Sequence, residues 1–249
     1  MKKYVRLIIT RPEWAKARRL GRSGPGLPPW IWIRSVLGVA VMSSVIFFAA
    51  GHLAFWQGWV YFGMNVVLIA LTGWILRENP ELVSERLKPG RGIKRWDKVY
   101  FALSTPLYFM AVVLAGLDRG RFHWSSEFPV WVYALGILVY LLGQSVFIWA
   151  KRVNPFFSSV VRIQTDRGQT VCDLGPYRYV RHPGYVGGLL FGLATPFVLG
   201  SYWALIPQAA AAAMLVFRTL LEDETLREEL PGYREYARRT RYRLIPRVW

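Results

Sequence analysis

The sequence predicts an all-α integral membrane protein with about five to six transmembrane helices. The last two form a helical hairpin, and a cytosolic C-terminal helical tail follows. Three observations predict this. Hydrophobic residues make up 53% of the 249 and come in long runs, which is the membrane pattern and not the globular one. Tryptophans and tyrosines sit near the ends of those runs, where amphipathic rings anchor at the lipid–water boundary. The Lys and Arg residues that give a formal charge of +17 fall mainly between the runs. In a soluble chain such charge points to nucleic acid; here topology accounts for it, and no nucleic-acid partner is expected.

The elements follow in order. Residues 1–30 form a basic arm ending in SGPGLPP, set against the membrane surface and not read as a cleavable leader. Residues 31–150 form a region of four membrane helices. The first is 31–53, where Arg34 can snorkel to the headgroups. The second is 55–76, with Trp56, Trp59 and Trp74 as anchors. A polar loop is expected over 77–98. The third span, 99–117, carries Pro106, which a bilayer helix tolerates; the fourth is 130–150. Residues 151–249 make the third region: a polar loop to 181, a short apolar segment 185–200, a second apolar segment 202–221, and a charged tail. The tail is expected to be helical over 222–230, broken at Pro231–Gly232, and helical again over 233–239.

Charge counting orients this layout. The arm holds eight Lys and Arg, the 77–98 loop seven, the 151–181 loop six and the stretch from Arg218 eight, against only Arg119 and Arg121 on the other side. Even alternation places both termini and the basic loops in the cytosol, in a multi-pass protein of the bacterial inner membrane type. The single cysteine, Cys172, excludes an intrachain disulfide. No CxxC or HExxH spacing supports a metal site, and neither GxGxxG nor GxxxxGK[ST] occurs.

Chemistry concentrates at GPYRYVRHPGYVGG, residues 175–188. Pro183 keeps His182 out of helical geometry and opens the following helix. Taken singly, its parts are ordinary: Tyr177, Tyr179 and Tyr185 fit an aromatic belt, Arg178 and Arg181 fit cytosolic anchors, and Arg218 with Glu222 fits an i,i+4 surface pair. Their coincidence is less ordinary. A hairpin turning at Gly200–Ser201 brings the cytosolic start of one arm, at His182–Tyr185, to the cytosolic end of the other, at Arg218, Glu222, Asp223 and Glu224. Charged groups at that depth need a reason.

These residues carry a resemblance. GPYRYVRHPGYVGG, then Arg218-TLL-Glu222-Asp223-ETL, then GYREYARRTRYRLIP, resembles the integral-membrane methyltransferases related to isoprenylcysteine carboxyl methyltransferase and to the phospholipid methyltransferases. It covers roughly the last hundred residues; NPELVSERLKPG upstream resembles bacterial members. The resemblance implies S-adenosylmethionine (SAM) as cofactor, held at the cytosolic interface with a lateral opening for a lipophilic acceptor, and makes 151–249 the catalytic region. It implies a cofactor pocket of Gln164, Gln169, Thr170, Val171, Cys172, Tyr177, His182, Pro183, Gly184, Tyr185, Glu222 and Asp223. It implies Arg218 at the substrate, and Arg218 with Glu222 as the catalytic pair. Glu222-Asp223 stands where Glu-Glu is common. The expected partners are a lipid-like acceptor and membrane lipids, with no obligatory protein partner. Two alternatives are a membrane NADPH-dependent sterol or enone reductase, whose common acidic residue after YxG is here Gly188, and a non-catalytic lipid-binding membrane protein.

Overall fold

The structure, a computed structural model, describes residues 29–76 and 79–249. The described residues are helical, with no strand among them; the basic arm expected over 1–30 lies almost wholly outside them. The helices are α1 (Pro29–Ala50), α2 (Trp56–Leu76), α3 (Pro80–Leu87), α4 (Arg95–Gly116), α5 (Val130–Val153), α6 (Pro183–Leu199), α7 (Leu205–Glu229) and α8 (Tyr233–Arg239). Five stretches are long and apolar enough to cross a membrane: Ile33–Ala50, Trp56–Leu76, Arg95–Phe122, Val130–Val153 and Leu205–Glu229. Their outward side chains, among them Ile33, Val41, Val67, Leu103, Leu138 and Phe217, are exposed apolar groups, as on the surface of a multi-pass membrane protein.

Three boundaries differ from the sequence reading. The polar loop over 77–98 contains α3. Asn79 caps it, its side chain accepting from the Leu82 amide at 3.2 Å, and Pro80 sits in the first turn. Leu82 and Val83 bury against Leu76 and Phe157. Next, α4 begins at Arg95, placing Asp97 inside the helix, and continues as a π-helical turn, Leu117–Phe122. Last, the final span and the helical start of the tail are one unbroken helix, α7, ending at Glu229, two residues before Pro231.

The hairpin of α6 and α7 is present, but α6 has only 17 residues, about 26 Å at 1.5 Å per residue. Gly200 ends it in the left-handed region at φ 77°, a conformation that favours glycine. The turn is tied down by fully buried Asp118, which accepts from the Ser125 amide at 2.7 Å, the Ser125 hydroxyl at 2.5 Å and the Ser201 hydroxyl at 2.6 Å. Helix α5 packs most extensively on α6. Gly143 and Gly187 allow this: a Cβ on Gly187 would lie 2.6 Å from the Gly143 carbonyl oxygen. Small residues at a crossing let two backbones approach, the usual basis of helix association in lipid.

At the other end of the bundle, the polar segment 154–182 and the tail close over the mouths of α5, α6 and α7. The tail pairs with the segment before α6: the Arg181 amide donates to Tyr242 O at 2.9 Å and the His182 amide to Arg243 O at 3.0 Å. Helix α3 is clamped by a bidentate ion pair, Arg162 Nε and Nη2 to the two Glu85 oxygens at 2.8 and 2.7 Å. Asp166 takes a further contact from Arg162 at 2.7 Å. Hydrogen bonding from Arg162 holds the Glu85 carboxyl below its ordinary range, and the same contact raises Arg162.

Candidate functional site

The basic end of the bundle holds a cavity of about 800 Å³ including its mouth, walled by the 154–172 segment, the start of α6, the second half of α7, and α8. Of the residues singled out from the sequence, Gln164, Gln169, Thr170, Val171, Cys172, Tyr177, His182, Gly184, Tyr185, Arg218 and Glu222 all line it. Pro183 and Asp223 do not.

Glu222 is the one carboxylate on this wall among the described residues. The Tyr185 hydroxyl donates to it from across the hairpin. The Tyr185 ring stacks on the His182 ring, centroids 5.7 Å apart and planes 4° from parallel. His182, Tyr185 and Glu222 therefore form one continuous face, as the hairpin geometry requires. Arg218, one turn before Glu222, does not form the i,i+4 pair. Its Nε donates to Asp97 at 2.7 Å and its Nη2 to Ser159 O at 3.0 Å. The guanidinium carbon lies 4.7, 4.9 and 5.3 Å from the ring centres of Tyr100, Phe101 and Tyr185, a charge seated among aromatic faces.

Asp223 has a different task. It is fully buried and accepts from Arg181 through both oxygens at 2.6 and 2.9 Å, from Tyr233 at 3.0 Å and from Arg243 at 3.0 Å. His182 Nε2 lies 3.3 Å away and Arg227 adds an ion pair at 3.0 Å. A buried carboxylate so fully paired holds structure together and has no capacity left for a ligand. It fixes His182 and the tail behind the cavity wall.

The 164–172 wall is similarly braced. Gln164 is 1% exposed, and its side chain bonds Phe156 O and Arg167 while its amide donates to Gln169 Oε1 at 2.7 Å. It is a strut of the wall. Cys172 is half-buried, and burial pushes its thiol up to about 11. Tyr177 and Tyr233 are likewise raised by burial, so both stay protonated. Arg178, one of the belt or anchor residues, is exposed and off the cavity.

Several lining residues escaped the sequence reading: Asn154, Phe156, Phe157, Arg162, Tyr233 and Tyr236. The last two had a signal, since they form the Tyr-xx-Tyr of the GYREYARR motif. Asp97 had none that was local: its partner lies 121 residues away.

What this arrangement can do is hold a cationic or polar ligand against aromatic faces beside one carboxylate, with a guanidinium at the edge nearest α4. Residues 131–231 match the family model described as phospholipid methyltransferase. The matched stretch contains every cavity-lining residue except Tyr233 and Tyr236. No curated protein matches the chain. Methyltransferases of this family generally use SAM. Residues 131–231 are thus similar to the phospholipid methyltransferases, a family that points to membrane methyltransferase activity on lipid-like substrates.

Proposed function

We propose that the protein binds SAM in this cavity on the cytosolic face and methylates a lipophilic acceptor, a carboxylate of an isoprenyl-cysteine-like or other lipid-like molecule. The observation that carries the reading is the single cavity carboxylate, Glu222, held by Tyr185 one turn from a guanidinium already fixed in place.

The residues fit the cofactor. Tyr177, Tyr185, Tyr233 and Tyr236 offer aromatic faces suited to a sulfonium cation. Glu222 would accept from its amine or ribose hydroxyls. Pro183 and Asp223 support that wall from behind, and Gln164 braces it while lining the cavity. When bound, SAM supplies an electrophilic methyl group whose bonding pair stays with sulfur. A carboxylate acceptor would need no proton removed, so the chain's own work is orientation and exclusion of water. Arg218 would orient the acceptor anion with the nitrogen that Asp97 and Ser159 leave uncommitted. Its closeness to Tyr100 and Phe101 sets the acceptor side towards α4, where a lipid would enter laterally. The basic loops on this end support a cytosolic orientation in a bacterial inner membrane.

Calorimetry of the purified protein with SAM and with NADPH tests the reading. SAM should bind, and Glu222→Ala should weaken it about 10- to 100-fold, the loss of one charge-assisted hydrogen bond. Arg218→Ala should lower turnover more than SAM affinity, with Arg218→Lys rescuing only in part. Binding of NADPH and not SAM would move the protein to the reductase class.

A further inference from the structure

We propose that Asp97 is a positioning residue for Arg218: it fixes the guanidinium that orients the acceptor, and it does so from a helix outside the stretch that matches the family. The inference rests on the methyltransferase reading above.

Asp97 lies in the first turn of α4 and is 0% exposed. A carboxylate there could serve its own helix terminus. Instead its two oxygens point away from α4's backbone, one to Arg218 Nε at 2.7 Å and the other to the Val161 amide at 2.7 Å. Val161 is gripped a second time, its carbonyl accepting from the Lys94 amide at 3.0 Å. Arg218 closes the ring through Ser159 O at 3.0 Å. One buried carboxylate thus joins three parts: α4, the 158–162 wall of the cavity, and the arginine of α7.

The physical need is clear. An arginine side chain loses about 2 kcal/mol of rotamer freedom when held still. A planar guanidinium bonded at Nε and at one terminal nitrogen has its plane and direction fixed, leaving the other terminal nitrogen aimed by geometry. Arg218 is 6% exposed, so without a counter-charge it would be an unpaired buried cation, an expensive state. Asp97 is the only carboxylate that forms an ion pair with it among the described residues. Glu222, one turn away on the same helix, is bonded to Tyr185 instead. The division leaves Glu222 for the cofactor end and gives Asp97 the acceptor end.

Asp97→Asn tests this, because it keeps the side chain's shape and an acceptor for the Val161 amide while removing the charge. Turnover should fall on the order of 10²-fold, the effect of a misaimed orienting group. SAM affinity by calorimetry should stay within about twofold, the limit of independent sites. On an Arg218→Ala background, Asp97→Asn should cost nothing further, since Asp97 acts only through that arginine. Loss of SAM affinity in step with turnover, or multiplicative losses in the double variant, would overturn the positioning role. Full turnover in Asp97→Asn would overturn it too. A wild-type protein that does not bind SAM defeats the methyltransferase reading itself, a result separate from any of these.

Discussion

Glu222 and Asp223 are neighbours in sequence and opposite in use. Successive residues on an α-helix point about 100° apart. With Glu222 turned to the cavity, Asp223 must look elsewhere, and it finds Arg181, His182, Tyr233 and Arg243. An acidic pair read as text offers two candidate ligands; the helix permits one. Tyr177, His182 and Tyr185 were legible as cavity residues because they share a single short motif, and Pro183 and the Gly200 turn fix where that motif goes. Arg218 was legible as a site residue, but its counter-ion was not, because a carboxylate in an upstream loop carries no mark of a partner so distant. The cysteine gives a test at this scale. With its thiol raised to about 11 by burial, Cys172 should be almost wholly protonated at neutral pH. Maleimide labelling at pH 7.5 should run about two orders of magnitude slower than for a free thiol of pKa near 8.5, and should quicken steeply above pH 10. Rapid labelling at neutral pH, followed by mass spectrometry, would contradict the packed wall described for residues 164–172.

The long helices were legible from hydropathy because lipid imposes a length and a composition on anything that crosses it. Helix α3 was not, because eight residues are too few for a periodic pattern to stand out from a charged loop. Its stability comes from tertiary contact: Leu82 and Val83 buried below and the Arg162 fork on Glu85 above. That fork predicts a pH dependence. Arg162 holds the Glu85 carboxyl below its unfolded value. The pair's contribution is therefore complete above about pH 4.3, the unfolded value, and falls away as pH drops further through the folded value. Melting curves should show the wild type losing stability between pH 5 and pH 3, in roughly that window. The double variant Glu85→Gln/Arg162→Met should lose less over the same interval. An identical acid response in both proteins would show that Glu85 is not a titrating support.

For the molecule as a whole, the cavity is built by the 154–172 wall, the α6–α7 hairpin and the tail, while α4 reaches it only through the bond from Asp97 to Arg218. The tail is the least expected of these contributors. Its carbonyls at Thr240 and Arg241 receive Arg181 Nη1 at 2.9 and 2.6 Å, and its Arg243 completes the ring of donors on Asp223. Removing residues 240–249 should therefore lower the melting temperature and abolish measurable SAM binding, even though no tail residue beyond Tyr236 lines the cavity. A truncated protein that binds SAM with full affinity by calorimetry would mean the tail is only a cover.

The modest length of α6 has a consequence for the surrounding lipid. Its span of about 26 Å falls short of a hydrocarbon layer near 30 Å. Its outer end is fixed by Asp118 and Ser201, while Tyr202 and Trp203 stand half-exposed beside it. A bilayer meeting so short a span thins around it, so the lipid beside Tyr202 and Trp203 is expected to be locally thinned.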